Sequence, residues 1–246
     1  MASDPHLLLL TGSGEARAVA DALAKTGPRV TASQLCAPRL AGALPVPTRT
    51  GRFGDSGGFA DFIATQGITA ILDATHPFAT RISAHAAQQA ATAGLPHAQL
   101  LRPPWRATAE DRWIEVGDEA SVGAHLQPGQ RVFASTGRAT LAALALSVPA
   151  QIFLRRIGEP GLASDMKNVT YVYDTGPFSV EKEIEVLTQL KIDVLVARNS
   201  GGTAPRSKLD AARALNLPVI LIARPPKPDH LCLPDVASAL AWVAAL

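Results

Sequence analysis

The chain has few residues of the kinds that hold metal ions or form disulfide bridges. Its 246 residues include two cysteines, Cys36 and Cys232, and six histidines. The cysteines are far apart, and none of these residues shows the short spacing of a zinc site, so we expect no bound metal. Such sparse use of cysteine is typical of proteins from reducing compartments, which predicts a cytoplasmic protein.

Long hydrophobic runs and an excess of charge of one sign are also missing. The apolar run Leu7–Leu10 has the length of a β-strand and is much shorter than a membrane span. The formal net charge is +2, too small to indicate a nucleic-acid partner. Hydrophobic residues make up 47% of the chain, enough for a large buried core. We therefore expect a folded protein that binds neither membranes nor nucleic acids.

The motifs of several common enzyme classes do not occur. The sequence has no G-x-S-x-G nucleophile elbow, no H-E-x-x-H motif and no G-x-x-x-x-G-K-[ST] phosphate loop. These absences argue against serine hydrolases of that type, zinc proteases and P-loop nucleotide hydrolases.

The two halves of the chain resemble each other. The segments that begin ITAILDATHPFATRIS at Ile68 and IDVLVARNSGGTAPRS at Ile192 share one pattern. Each has an apolar strand, a loop rich in small and polar residues, an Ala-rich helix that ends at Leu-Pro, and a second apolar run closed by Arg-Pro-Pro. Upstream, LLLLTGSGEA at Leu7 resembles VFASTGRAT at Val132. Landmarks that recur in the same order indicate a pseudo-repeat.

Strands that alternate with helices are typical of parallel sheets covered on both faces. The sequence therefore predicts an α/β fold of two Rossmann-like parallel-sheet domains, residues 1–105 and 115–246, with a ligand cleft between them. The connector RPPWRATAEDRW, from Arg102, is rich in proline and charge, as linkers tend to be. Whether the closing strands and the C-terminal helix stay with their own domain is left open. Such sheets bind ligands beyond the carboxyl ends of their strands.

The loop TGSGEAR, from Thr11 to Arg17, joins an apolar strand to a helix through two glycines. Backbone N–H groups at a helix start, together with the helix dipole, suit a pyrophosphate group. The match to G-x-G-x-x-G is partial, because Arg17 stands where the third glycine would be. An ordinary helix start, with Thr11 or Ser13 as the N-cap, explains the same residues, and both interpretations stay open.

The loop DATHPFA, from Asp73 to Ala79, follows an apolar strand. Polar groups at the end of a buried strand are costly unless they find partners. We expect Thr75 and His76 to face a ligand, because this position lies next to the nicotinamide and ribose in Rossmann-like sheets. A capped helix start with Pro77 in its first turn is compatible with the same pattern.

The loops STGR, from Ser135, and RNSGG, from Arg198, place further N–H donors at helix starts. Basic residues follow the strand ends in both halves, and together they predict a site for carboxylates or phosphates. Each of them alone is more typical of a solvated surface. The loop TRTGRFGDSGG, from Thr48, is either a segment that closes over a ligand or an ordinary exposed connection.

The order of these motifs resembles that of the precorrin-6A reductase family. The motifs are TGSGEAR, GRFG at Gly51, DATHPFA, STGR, GPFS at Gly176, RNSGG and K-x-x-AAR from Lys208, and they span nearly the whole chain. The resemblance implies an enzyme of cobalamin biosynthesis that uses NADPH to reduce precorrin-6A, a polycarboxylate tetrapyrrole, to precorrin-6B. Two features depart from the family pattern. Arg198 stands where lysine is usual, and SQLCAPR leaves the NADPH 2′-phosphate with Arg39 as its candidate partner.

Under this resemblance the site residues fall into two groups. The residues expected to bind NADPH are Gly12, Ser13, Gly14, Glu15, Thr75, His76 and Pro77. The residues expected to bind the substrate are Arg81, Arg102, Thr136, Arg138, Arg198, Asn199, Ser200, Gly201 and Lys208. His76 is the expected catalytic residue, because a histidine can donate a proton near neutral pH, and protonation by solvent stays open as the alternative. The reverse assignment, with NADPH in the second domain, stays open.

Two other functions are kept as alternatives. One is a tetrapyrrole lyase or synthase that resembles uroporphyrinogen-III synthase and needs no cofactor. The other is a tetrapyrrole-binding sensor without enzymatic activity. For the reductase, the expected partners are the substrate and, transiently, neighbouring enzymes of the pathway. The presence of cobalt in the substrate and the oligomeric state do not follow from the sequence.

Overall fold

The protein, seen in a computed structural model, is described over residues 4–36, 42–54, 57–137, 141, 143, 150–158 and 164–246. It divides into two compact units, and the chain passes from one to the other twice. The first unit comprises residues 1–103 and 225–246, and the second comprises residues 104–224. Both passages lie within the Arg-Pro-Pro sequences that close the two halves of the pseudo-repeat.

The first unit contains a six-stranded sheet in which every neighbouring pair of strands is parallel. Its strands are β1 (His6–Thr11), β2 (Arg29–Gln34), β3 (Thr48–Thr50), β4 (Ala70–Ala74), β5 (His97–Leu100) and β12 (Cys232–Leu233). The order across the sheet is β3-β2-β1-β4-β5-β12. This is the 3-2-1-4-5-6 arrangement of dinucleotide-binding sheets.

The second unit contains a second parallel six-stranded sheet. Its strands are β6 (Trp113–Val116), β7 (Arg131–Ala134), β8 (Gln151–Ile157), β9 (Val169–Asp174), β10 (Val194–Arg198) and β11 (Val219–Ile222). The order across this sheet is β9-β8-β7-β10-β11-β6. Two parallel sheets with helices confirm the predicted α/β fold.

Helices cover the sheets and connect the strands. They are α1 (Gly14–Thr26), α2 (Gly58–Gln66) and α3 (Thr80–Ala93), then α4 (Val180–Gln189) and α5 (Ser207–Ala214) in the second unit, and α6 (Val236–Ala244), with 3-10 turns at Ala120–His125 and Ala204–Arg206. The residues of Leu7–Leu10 are at most 2% exposed, because α1 and α6 pack on one face of the first sheet and α2 and α3 on the other. None of the helices in the described ranges is long and apolar enough to cross a membrane.

The sixth strands of the two sheets are exchanged. Along the chain, β6 follows the first five strands, yet it pairs with β11, for example Trp113 with Val219. Similarly, β12 follows the second five strands but pairs with β5, where Cys232 lies opposite Gln99. The pseudo-repeat therefore corresponds to β1–β5 and β7–β11, and each repeat completes the other's sheet.

The exchange moves the C-terminal segment to the first unit. The sequence-based division ran the second domain from residue 115 to 246 and left the place of the C-terminal helix open. The structure groups residues 225–246 with residues 1–103. The physical reason is twofold. Strand β12 completes the first sheet beside β5, and residues Ala239 and Val243 of α6 pack into the same core as Val19 of α1.

Candidate functional site

Each sheet has one place where its strand order reverses, between β1 and β4 in the first unit and between β7 and β10 in the second. Loops that leave neighbouring strands at such a point diverge toward opposite faces of the sheet, and the gap between them is where ligands bind. The four predicted loops lie at these points: TGSG after β1, THPF after β4, STG after β7 and NSGG after β10. Both reversal points are therefore candidate sites.

Ser13 joins the first loop to both the helix and the neighbouring strand. Its Oγ accepts a hydrogen bond from Ala16 N and donates one to Ala74 O at 2.8 Å. The N-cap interpretation of this loop is therefore correct for Ser13. Capping satisfies one N–H group only, and the other N–H groups of the first turn have no carbonyl partner within the helix. That property also suits a pyrophosphate.

Gly12 and Gly14 differ in their surroundings. A Cβ atom at Gly12 would lie 3.3 Å from both Thr75 Cα and His76 N, so glycine allows the two loops to approach each other. A Cβ atom at Gly14 would have no heavy atom of the described residues within 4 Å. Packing within the protein thus explains why residue 12 is glycine, but it does not explain why residue 14 is glycine. The open space at the start of α1 fits a phosphate group of a dinucleotide.

Glu15 and Arg102, which the sequence analysis assigns to different ligands, form an ion pair with each other. Glu15 lies in the first turn of α1, and Arg102 follows β5 in the same unit. The pairing partly neutralises a carboxylate that would otherwise repel an anion at the helix start.

Local hydrogen bonds hold the loop after β4. Asp73 is fully buried, and its Oδ1 accepts a hydrogen bond from Thr75 N at 2.9 Å. Its Oδ2 has no hydrogen-bond partner among the residues that the structure describes. His76 Nδ1 accepts a hydrogen bond from Phe78 N at 3.3 Å. A neutral His76 ring that accepts at Nδ1 carries its proton on Nε2.

Thr75 ends a buried chain of hydrogen bonds that the sequence analysis missed. Its Oγ1 lies 3.3 Å from Ser83 Oγ, which accepts a hydrogen bond from Gln99 Nε2 at 3.3 Å. Gln99 Oε1 lies 3.0 Å from His230 Nε2. An amide oxygen only accepts, so His230 donates to Gln99 and Gln99 donates to Ser83, whereas either hydroxyl can donate between Ser83 and Thr75. The chain therefore fixes where the Thr75 hydroxyl lies.

The residues just after His76 are placed as follows. Pro77 is buried in a turn before α3, which begins at Thr80, so Pro77 is not in the first helical turn as the helix-start interpretation has it. Arg81 lies in the first turn of α3 and is exposed.

The NSGG loop of the second unit is held by Trp105 and Arg224, which the sequence analysis did not identify. The Asn199 side chain is buried, accepts from Trp105 N at 2.8 Å and donates to Trp105 O at 3.0 Å. Arg224 donates to the backbone carbonyls of Asn199 and Ser200, at 2.8 and 2.7 Å. Gly201 has a φ of 66°, which favours glycine. The Asn199 side chain therefore positions the loop.

The other predicted residues of the second unit are less closely grouped. Thr136 is buried and Gly137 has a φ of 86°. Arg198 forms an ion pair with Glu119, with 2.8 Å between Nη2 and Oε1. Arg138, like Arg39 of the first unit, lies outside the described residues.

A buried cluster of charged residues lies near Lys208, which itself donates a hydrogen bond to Pro205 O. Arg155 of β8 and Glu183 of α4 are 7% and 1% exposed, with 2.6 Å between Nη1 and Oε1. The guanidinium of Arg155 also lies 4.3 Å from the centre of the Phe178 ring. Burial lowers the pKa of Lys208 to about 8, although the nearby Glu183 carboxylate acts to raise it. An arginine inside the apolar run QIFLRRI was the available sequence signal for this cluster.

A cavity of about 310 Å³ lies in the first unit, away from both loops of the reversal point. Its lining residues are Arg29, Thr31, Pro47, Thr48, Arg49, Phe62 and Gln66. Because it contains none of the residues after β1 and β4, we do not place the active site there. Within the described part of the chain, no three His, Cys, Asp or Glu residues are grouped closely enough to hold a metal ion.

Comparison with known proteins identifies the family. The family profile described as "Precorrin-6x reductase CbiJ/CobK" matches residues 6–244. The chain belongs to this family. It is 41% identical to the precorrin-6A reductase of Rhodococcus erythropolis over 98% of both chains. It is 30% identical to the cobalt-precorrin-6A reductase of Priestia megaterium, over 89% of this chain and 90% of the other.

A solved structure has the same fold. The structure described as "CobK precorrin-6A reductase" gives a TM-score of 0.91 at 35% identity, covering 98% of this chain and 96% of that chain. The family resemblance drawn from the sequence motifs is thereby confirmed.

Proposed function

We propose that the protein reduces precorrin-6A to precorrin-6B with NADPH, as a step of cobalamin biosynthesis. The observation that carries this proposal is the 41% identity, over 98% of both chains, to a precorrin-6A reductase. The parallel sheets with glycine turns at their reversal points support a dinucleotide cofactor. Neither a lyase without a cofactor nor a tetrapyrrole sensor requires such glycine turns.

The first unit would hold the cofactor at the start of α1. Gly12 lets the loops after β1 and β4 approach each other, and the open space at Gly14 fits the pyrophosphate. Thr75 and His76 follow the strand on the other side of the reversal point, so they would border the nicotinamide end. When bound, NADPH supplies the hydride.

The chain's own residues would then position the substrate and deliver a proton. Arg81 is exposed at the start of α3, and Arg198 and Lys208 lie at the corresponding end of the second sheet. Cations at these places suit the carboxylates of a tetrapyrrole. His76 accepts a hydrogen bond at Nδ1, so the proton that it donates would leave from Nε2.

The degree of identity favours the cobalt-free substrate. The chain is 41% identical to a precorrin-6A reductase and 30% identical to a cobalt-precorrin-6A reductase. The cobalt-containing form is the second candidate substrate.

The direct test mixes the purified protein with NADPH and precorrin-6A under anaerobic conditions and follows the absorption band of the reduced nicotinamide. Loss of the band that requires both protein and precorrin-6A supports the proposal. If the absorption band is lost only with the cobalt-containing form, that form is the substrate. If the protein binds both the cobalt-free and the cobalt-containing tetrapyrrole but oxidises NADPH with neither, the reductase proposal is wrong and a sensor is favoured.

The proton donor is tested with His76→Ala. We expect the variant to lose turnover and the pH dependence that titration of a histidine produces, while it keeps its affinity for substrate. His125→Ala, at an exposed position in the second unit, is the matched control. Normal turnover of His76→Ala across the pH range would remove His76 from this role.

A further inference from the structure

The strand exchange places a histidine of the C-terminal segment against the first sheet. His230 comes two residues before β12, and its ring meets the ring of His97 on β5 edge-on, with 4.7 Å between the ring centres. The backbone carbonyl of the next residue, Leu231, accepts a hydrogen bond from Gln99 N at 2.9 Å. The docking of residues 225–246 on the first unit therefore holds His230 beside Gln99.

The Gln99 side chain has two different ends, and His230 determines which of them faces Ser83. An amide group carries an accepting oxygen at one end and donor N–H groups at the other. Gln99 is buried, its Oε1 lies 3.0 Å from His230 Nε2, and its Nε2 lies 3.3 Å from Ser83 Oγ. Because the oxygen accepts from His230, the nitrogen faces Ser83. Without the donor at His230, the amide could turn over and present its oxygen to Ser83 instead.

The orientation of the Gln99 amide determines what the Ser83 hydroxyl can offer to Thr75. A serine hydroxyl has one proton to donate and two lone pairs that accept. Because Ser83 Oγ accepts from Gln99, its own proton stays available for Thr75 Oγ1, which lies 3.3 Å away. An amide oxygen in the place of the nitrogen would take up that proton, and Ser83 could then only accept from Thr75. The Thr75 proton is available to a ligand in the first arrangement but not in the second.

Thr75 lies at the candidate cofactor site. It follows β4 at the reversal point, and its N–H group donates to Asp73 Oδ1 at 2.9 Å. Among the described residues, Ser83 is the one hydrogen-bond partner of the Thr75 hydroxyl. The carboxamide of nicotinamide has an oxygen that can accept from such a hydroxyl. A nicotinamide ring held by this additional hydrogen bond is better oriented for transfer of its hydride.

We propose that His230 is a positioning residue for the nicotinamide of NADPH, because it orients the Gln99 amide and so leaves the Thr75 hydroxyl able to donate to the nicotinamide carboxamide. This inference rests on the proposed function, since it requires the cofactor to lie in the first unit. It also gives the exchanged segment a part in the reaction. His230 reaches β5 through the docking that pairs β12 with the first sheet.

The test measures the binding of two nucleotides without turnover, by titration calorimetry. One is NADP⁺, and the other is 2′-phospho-ADP-ribose, which is the same nucleotide without nicotinamide. We expect His230→Leu to bind NADP⁺ about threefold to tenfold more weakly, the factor that one hydrogen bond contributes, and to bind the fragment as the wild type does. His230→Gln should bind both as the wild type does, because glutamine carries an N–H donor at nearly the same distance from the backbone.

Asp235→Ala is the structural control in the same C-terminal segment. Asp235 is exposed and caps α6, and its side chain accepts hydrogen bonds from Ser238. Loss of this cap should lower the midpoint of thermal unfolding, whereas both nucleotide affinities should stay unchanged.

Other outcomes overturn the inference in distinguishable ways. Equal losses for both nucleotides in His230→Leu would show that His230 only stabilises the fold. Unchanged NADP⁺ affinity in a His230→Leu variant that still unfolds cooperatively would show that His230 does not act on the nicotinamide. A loss in His230→Gln as large as in His230→Leu would show that the ring is required rather than its donor. If the wild-type protein binds neither nucleotide, the proposed function itself is wrong.

Discussion

Two glycines in one loop offer a matched pair of substitutions that separates packing from cofactor binding. A methyl group at Gly12 would lie 3.3 Å from Thr75 Cα and His76 N, which are backbone atoms and cannot rotate away. We expect Gly12→Ala to lower the free energy of unfolding by about 1–3 kcal/mol, the usual cost of overpacking. The substitution should also weaken NADPH binding, because it pushes the two loops apart.

Gly14→Ala should have the opposite effect on stability but should also weaken NADPH binding. The new methyl group meets no described atom within 4 Å, and Gly14 is the first residue of α1. Alanine favours the helix over glycine, so the free energy of unfolding should rise by as much as about 1 kcal/mol. The affinity for NADPH should nevertheless fall by about tenfold or more, since an overlap that costs 1.4 kcal/mol already has that effect.

Denaturant unfolding of the ligand-free protein and calorimetric titration with NADPH measure the two effects separately. Gly117→Ala is the control, because its methyl group also meets open space and the residue lies just after β6 in the second unit. Unchanged NADPH affinity in Gly14→Ala would refute the assignment of that space to the cofactor. Unchanged stability in Gly12→Ala would show that the loop after β4 moves to accommodate the methyl group, which contradicts the packing argument.

Three further predictions concern the second unit. Glu183→Ala removes the nearer of the two carboxylates beside the buried Arg155 and leaves Asp174 at 3.9 Å, so it should lower the free energy of unfolding by as much as about 3–5 kcal/mol. The exposed Glu185→Ala on the same helix should cost less than about 0.5 kcal/mol, and equal urea midpoints for the two variants would contradict this prediction. Burial lowers the pKa of Lys208 from 10.5 to about 8, so the unfolded chain binds the ammonium proton of Lys208 more tightly than the folded protein does. The free energy of unfolding should therefore increase as the pH is raised from about 8 to 10.5. Lys208→Met should not show this increase. If the free energy of unfolding depended on pH in the same way in the variant and the wild type, the lowered pKa would be wrong. Asn199→Ala removes both hydrogen bonds to the Trp105 backbone and should cost about 1–3 kcal/mol, with a change in tryptophan fluorescence; an unaltered spectrum and midpoint would argue otherwise.

The sequence predicted the repeated part of the fold because each repeat signals its elements locally. An apolar strand, a glycine turn and an Ala-rich helix occur in series, and these patterns predict β1, β4 and β5 in the first repeat and β7, β10 and β11 in the second. The exchange of β6 and β12 leaves no such signal. Both segments follow an Arg-Pro-Pro sequence, and β12 has only the residues Cys232–Leu233. Which sheet an edge strand joins depends on tertiary packing rather than on its own sequence.

The sequence predicted the positions of the site loops better than the partners of their side chains. Glycines and polar residues after apolar strands mark loops at the carboxyl edge of a sheet. In contrast, Glu15 and Arg102 are 87 residues apart, and Trp105 and Asn199 are 94 residues apart. Hydrogen bonds over such separations depend on the folded chain, so no local pattern identifies Arg102 as the partner of Glu15.

The exchanged strands also affect the order in which the protein forms during synthesis. The second sheet lies within residues 104–224, and its last strand ends at Ile222. The first sheet begins at His6 but needs Cys232 and Leu233 for its sixth strand. While the ribosome makes the second unit, β5 therefore has an open edge, and such edges can pair with other chains. The first unit therefore begins to be synthesised before the second but is completed after it.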